Sequence, residues 1–169
     1  MNKTVRFNSI IAFPRRQGGM VLLVSLVFLL LLTLLGISSM QNATLQEKMA
    51  GSVVVRNQSF QLAESALRLG ESAIKAGTVL PAACSGTACA PPAESTTVTA
   101  AGVGASGVTW TAAAGGGFYA VQNLGTTMTP VKRPTNCAVN RAVTLYRITS
   151  VAIQNGISRT VLESIYANC

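Results

Sequence analysis

The residues of this sequence best fitted for chemistry are four cysteines, Cys84, Cys89, Cys137 and Cys169. Two outcomes are open to them, oxidation to disulfides or ligation of zinc. A zinc site normally draws on short, paired Cys or His spacings. Here one C-x4-C is followed by widely separated single cysteines, and the sequence holds no histidine. An even cysteine count favours two disulfides, formed in an oxidising compartment. Catalysis has little else to draw on. There is no aspartate, and the five acids are Glu47, Glu64, Glu71, Glu94 and Glu163. Serines and threonines are plentiful, yet no histidine base stands ready to activate one. Neither a catalytic residue nor a metal or cofactor is expected.

A second kind of chemistry, cleavage of the chain itself, is suggested by "RRQGGMVLLVSLVFLLLLTLLGISSMQ" at residues 15–41. Met20 to Ile37 is apolar apart from Ser25 and Thr33, whose hydroxyls can bond to helix carbonyls. As a helix it would span roughly 27 Å, close to the ~30 Å hydrocarbon core of a bilayer. Lys3, Arg6, Arg15 and Arg16 all lie ahead of it, so the positive-inside rule puts residues 1–19 in the cytoplasm. A secretory signal peptide has a shorter apolar region and is cut after it. In this chain the small-residue pair Gly18-Gly19 precedes the apolar run. Cutting there trims the cytoplasmic tail and keeps the anchor.

"RRQGG" followed by "MVLLVSLVFLLLLTLLG" resembles the class III leader of type IV prepilins. Further on, "LQEKMAG" and "SFQLAESAL" resemble the N-terminal domain of PilX-type minor pilins, as the late "LYRITSVA" and "VLESIYA" resemble that family's C-terminal strands. The stronger part of the resemblance covers residues 15–75. It implies cutting after Gly19 by a prepilin peptidase, with Met20 as the first mature residue and its amine methylated. It also implies a single-span inner-membrane subunit with a periplasmic head, later built into a pilus. The implied partners are other minor pilins, the major pilin and a large tip adhesin. The implied roles are pilus initiation and, through the pilus, twitching motility, adhesion or DNA uptake.

One position departs from the pattern. Most pilins carry glutamate at the fifth mature residue, which here is Val24. A buried carboxylate is costly unless paired. A subunit at a filament's end would lack the neighbour whose amine pairs with it, so Val24 suggests a tip or initiating position. It is equally compatible with simple apolar packing. The alternative reading is a minor pseudopilin of a type II secretion system, whose tip subunit also lacks that glutamate. That relative has a much larger head, whereas roughly 100 residues here cannot bury a second core.

The anchor must be carried by a long helix. Leu45, Met49, Val53, Phe60, Ala63, Leu67 and Ile74 recur at helical spacings, so one helix is predicted from Met20 to Ala76. Glu64–Arg68 and Glu71–Lys75 are i,i+4 pairs of opposite sign. Gly36 and Gly51 weaken the helix by roughly 1 kcal/mol each. Gly77 and Pro81 end it. Residues 81–107 read as a long loop, and a Cys84–Cys89 bridge would close a tight ring inside it.

Strand-like runs follow at 107–112, 118–124, 142–153 and 157–167. Asn155-Gly156 marks a two-residue hairpin, which would set Tyr146 opposite Ile165 and Ser150 opposite Val161. The fold class expected is α+β, a long N-terminal helix packed on a small antiparallel sheet, as the resemblance also implies. Its parts would be a leader at 1–19, a membrane or filament-core helix at 20–40, an amphipathic continuation at 41–76 and a head at 77–169. Four cysteines allow three connectivities. If Cys84 and Cys89 pair locally, Cys137 and Cys169 are left for the C-terminal disulfide loop common in pilins.

Net charge is +8, with four of thirteen cations in the leader. The rest are dispersed, with no cluster larger than Lys132-Arg133. Nucleic-acid affinity needs several phosphate contacts on one surface, so DNA contact through Lys132, Arg133 or Arg141 is the weaker expectation.

Overall fold

The computed structural model describes residues 19–154, 156 and 158–169. One helix, α1 (Met20–Lys75), precedes five strands: β1 (Gly102–Val103), β2 (Thr109–Ala113), β3 (Gly117–Thr127), β4 (Val143–Gln154) and β5 (Ser158–Asn168). Two single 3-10 turns, Gly86–Cys89 and Ala93–Thr96, interrupt the segment between α1 and β1. The chain divides into two compact units, Met1–Lys48 and Met49–Cys169.

In the first unit, the described residues are helical from Met20 onward and all are exposed. Beyond its first turn, helical hydrogen bonding satisfies the backbone from within, the condition for a segment that meets hydrocarbon. The two hydroxyls in the apolar stretch are satisfied the same way. Ser25 donates to the Leu22 carbonyl at 2.9 Å and Thr33 to the Leu30 carbonyl at 2.8 Å.

In the second unit, α1 buries Ser59, Ala63, Ala66, Gly70 and Ile74. Their spacing of four, three, four and four places them on one helical face. Only Ala63 and Ile74 belong to the set that periodicity selects; Leu45, Met49, Val53 and Phe60 are exposed. Burial in α1 begins only at Ser59, and there the helix lies close to the sheet. At Gly70 an added Cβ would stand 2.7 Å from Ile148 Cγ2 and 3.1 Å from Tyr119 Cδ2. A helix seated that near a sheet needs small residues at the contact, so large apolar residues do not mark it.

The helix ends as its glycine requires. Gly77 adopts φ +72°. Its N–H donates to the Ile74 carbonyl, and the Thr78 N–H reaches back to Ala73, each at 3.0 Å. That pair of bonds is the Schellman cap, which favours glycine because the left-handed conformation crowds any Cβ.

The sheet is a five-stranded antiparallel meander in the order β1-β2-β3-β4-β5. It has one strand more than the sequence suggests. β1 is a glycine and a valine, too short to carry a pattern, and pairs Gly102 with Trp110 and Val103 with Thr109. One face meets α1, burying Tyr119, Val121, Tyr146 and Ile148 with Ala66 and Ile74. The other face buries Trp110, Ala120 and Val151 with Val108 and, partly, Val98. Strands buried on both faces lose the inside–outside alternation, which is why neither face of β4 reads as cleanly apolar.

The final hairpin forms, with a register one residue from that expected. Gln154 pairs with Ser158, which leaves three residues in the connection instead of two. Gly156, at its centre, takes φ +67°; Asn155 lies outside the described residues. Tyr146 therefore faces Tyr166, and Ser150 faces Leu162. A one-residue slip exchanges the faces of a whole strand. In this register Thr160 and Ser164 turn toward α1, where Thr160 bonds to Ser59 and Ser164 donates to Glu71 at 3.2 Å. That contact corrects the expected Glu71–Lys75 pair. Of the two i,i+4 pairs, only Glu64–Arg68 is an ion pair among the described residues.

Candidate functional site

The junction expected to be cut lies at the start of α1. Gly18 and the four cations that precede it, Lys3, Arg6, Arg15 and Arg16, lie outside the described residues. Gly19 and Met20 are exposed, Met20 at 71%. The Gly19 carbonyl accepts the Leu23 N–H at 3.4 Å, so Gly19 caps the helix and Met20 is its first residue.

Val24 is 45% exposed and sits one turn beyond Met20, on the same side of the helix. An isopropyl group there can accept nothing from the amine that cleavage would expose at Met20. Nor can the rest of the apolar helix. Within α1 no charged residue occurs before Glu47, about 40 Å along the axis from Met20. The described helix contains one segment long and apolar enough to cross a membrane, and none of that window is buried.

The cysteines form two bonds, Cys84–Cys89 and Cys137–Cys169, with Cα separations of 5.2 and 5.8 Å. The small ring is held to the sheet by polar groups. Gln122 of β3 donates to the carbonyls of Ala88 (2.8 Å) and Ala90 (3.0 Å). Arg147 of β4 donates to the Cys89 carbonyl and to Glu163 Oε1, the latter at 2.6 Å. The Cys84 N–H bonds to the Asn123 carbonyl at 2.8 Å, and the Asn123 amide donates to Pro81 at 3.0 Å.

The second bond ties Cys169 to the loop before β4. That loop is organised by Arg133, whose guanidinium donates to the carbonyls of Met128, Ala138 and Arg141 at 2.6 to 2.9 Å. Arg133 is thus committed to its own backbone; Lys132 and Arg141 are exposed.

The segment covering the far face of the sheet is pinned by Glu94. Its Oε1 accepts the hydroxyl and N–H of Ser106 and the indole N–H of Trp110. Burial pushes this carboxyl up. The hydrogen bonds from Ser106, the local backbone and Trp110 outweigh that and hold it below the usual range. Gly104 passes so near that a Cβ there would overlap the carboxylate.

Glu94, Gln122 and Arg147 are the residues that sequence reasoning missed. Each lies in a run without periodicity, and its importance comes from partners elsewhere in the sequence: donors on Ser106 and Trp110 for Glu94, carbonyls of the small ring for Gln122 and Arg147. Among the described residues no cluster of three or more His, Cys, Asp or Glu could hold a metal, and every cysteine is bonded. What the chain offers is surface: an apolar helix with no cover of its own, and a small head with a heavily cross-linked loop region.

Residues 18–68 match the family model described as PilX N-terminal. The match runs through most of α1 and stops ahead of the strands. No curated protein and no solved structure matches the chain.

Proposed function

We propose, from the PilX N-terminal match that supports a PilX-type type IV pilin, that this chain is a minor pilin acting in pilus assembly or initiation. PilX-type pilins are structural proteins, with other pilus components as partners. The observation that carries the reading is the coincidence of three things at one place. The family match begins at residue 18, the helix begins at Met20, and the apolar helix is uncharged until Glu47 and nowhere buried.

In this reading a prepilin peptidase cuts after Gly19 and the Met20 amine is methylated. Residues 1–19 are the cytoplasmic leader, 20–40 the membrane and later filament-core helix, 41–76 its amphipathic continuation and 77–169 the exported head. The subunit waits in the inner membrane with its N-terminus inside, then moves into the pilus beside other minor pilins and the major pilin. Both surroundings of the helix are apolar. The driving force for the transfer is therefore helix packing and specific contact, since little apolar surface leaves water. Val24 favours a place at the filament's end, near a tip adhesin, where no neighbour needs a fifth-position carboxylate. Motility, adhesion and DNA uptake would follow from the pilus as a whole.

The test is mass spectrometry of the mature N-terminus. A start at methylated Met20 is expected; a start beyond Ile37 would remove the anchor and with it the reading.

A further inference from the structure

The two edges of the sheet are finished differently. β1 is two residues long. β5 runs eleven residues from Ser158 to Asn168 and pairs with β4 at every position without a bulge. Exposed edges are normally blunted by shortness, proline, lysine or a bulge, because a row of open N–H and C=O groups invites another strand. β1 has such a defence. β5 contains no proline, glycine or lysine. Among the described residues no strand pairs with its outer side.

The beginning of that edge opens onto a groove of about 880 Å³, lined by Gly51, Arg56 and Phe60 of α1 and by Arg159 and Val161 of β5. Nothing lies within 4 Å of where a Gly51 Cβ would be. Phe60 is 48% exposed and Val161 38%. Two arginines line the groove and no acidic residue does. Arg159 is held in place by donating to the carbonyls of Ser95 (3.2 Å) and Val98 (2.9 Å). Among the described residues no carboxylate pairs with Arg56.

We infer that the outer edge of β5 is a docking strand, taking an extended acidic and apolar segment of a partner protein as a sixth strand of the sheet. Main-chain bonds to β5 would supply affinity and alternate side chains the selectivity. Side chains of the incoming strand would alternate as those of β5 do: on the α1 side an apolar group beside Phe60 and a carboxylate toward Arg56, on the other side their counterparts beside Val161 and Arg159. A second copy is a poorer occupant. The one carboxylate on its β5, Glu163, is already bonded to Arg147.

The experiment uses the full chain in neutral detergent and a fluorescein-labelled synthetic peptide of alternating valine and threonine, carrying glutamates at one end. A peptide with lysines in place of the glutamates is the control. Binding of the glutamate peptide alone is expected, with its isotope-labelled amide band moving to the strand position in the infrared. Arg56→Glu, a change at an exposed site, should weaken binding roughly fivefold, and Val161→Lys should weaken it at least as much. Binding that ignores both variants, or that leaves the amide band unmoved, overturns the inference. So does a concentration-dependent dimer that Val161→Lys abolishes, or displacement of the peptide by anionic-lipid vesicles. None of these readouts involves a pilus, so the docking strand stands or falls apart from the pilin reading.

Discussion

Gly70 of α1 lies directly beneath Ile148 of β4: a Cβ at Gly70 would approach Ile148 Cγ2 to 2.7 Å. This approach sets the distance between helix and sheet. Gly70→Ala would gain about 1 kcal/mol of helix propensity, yet it forces a branched side chain and Tyr119 apart, at a cost of about 1 to 3 kcal/mol. A net loss of stability is expected. Gly51→Ala meets nothing within 4 Å and should gain up to about 1 kcal/mol. Urea denaturation of the two variants side by side checks the contrast; equal shifts would mean that the contact does not govern the packing.

The two disulfides should differ in worth. Cys137–Cys169 spans 32 residues and Cys84–Cys89 five. Loop-closure entropy then assigns about 3 to 4 kcal/mol to the first and about 2 kcal/mol to the second. Cysteine-to-serine pairs at each site, compared by urea midpoint, should keep that order. The reverse order would show that the small ring, with its bonds to Gln122 and Arg147, contributes chiefly through contacts.

Much of the architecture can be read from residue patterns because the strongest pattern, a charge-free apolar run behind four cations, has one physical solution. The helix end is equally legible, since Gly77 supplies a conformation that other residues resist. What escapes is set by contacts that no local pattern encodes. Of the five residues on the buried face of α1, Ser59, Ala66 and Gly70 are passed over by periodicity of large residues. The register of β4 and β5 depends on one extra residue around Gly156. Gln122 and Arg147 donate to carbonyls, and Glu94 accepts from Ser106 and Trp110, all partners that only the folded loop brings near.

Buried hydroxyls without partners point to a stabilising change. Thr149 Oγ1 and Ser150 Oγ have no hydrogen-bond partner among the described residues. An unsatisfied buried group forfeits its hydration, about 1 to 3 kcal/mol. Ser150→Ala should therefore raise the thermal midpoint, by the equivalent of about 1 kcal/mol. A lowered midpoint would reveal that the hydroxyl is satisfied after all.

Glu94 makes one part of the head sensitive to acid. Its folded pKa lies below the unfolded value, so the ionised form is the one the fold favours. The sign follows by linkage: this contribution is complete above the unfolded carboxyl pKa of about 4.3, and is lost as pH falls through the lower folded value. Glu94→Gln should be less stable than the parent at neutral pH, and the gap should close in acid. Fluorescence of Trp110, the one tryptophan in the chain and a donor to Glu94, reports the transition. A gap that persists unchanged below the carboxyl range would assign the effect to shape instead of charge.

Val24→Glu tests the placement of the subunit. Met20 and residue 24 lie one turn apart on the same side of α1, and the nearest acid in the parent chain is Glu47. A glutamate at 24 supplies the carboxylate that an interior position would pair with a neighbour's amine, without touching the Gly19-Met20 bond. Processing is expected to continue unchanged. The burial penalty of an unpaired carboxylate at a filament's end, on the order of several kcal/mol even after relaxation, should disfavour the variant there. Immunogold labelling should then find the parent at pilus ends and the variant along the shaft or missing from pili. Parent label scattered evenly along pili would remove the end position, and with it the physical reason offered for valine.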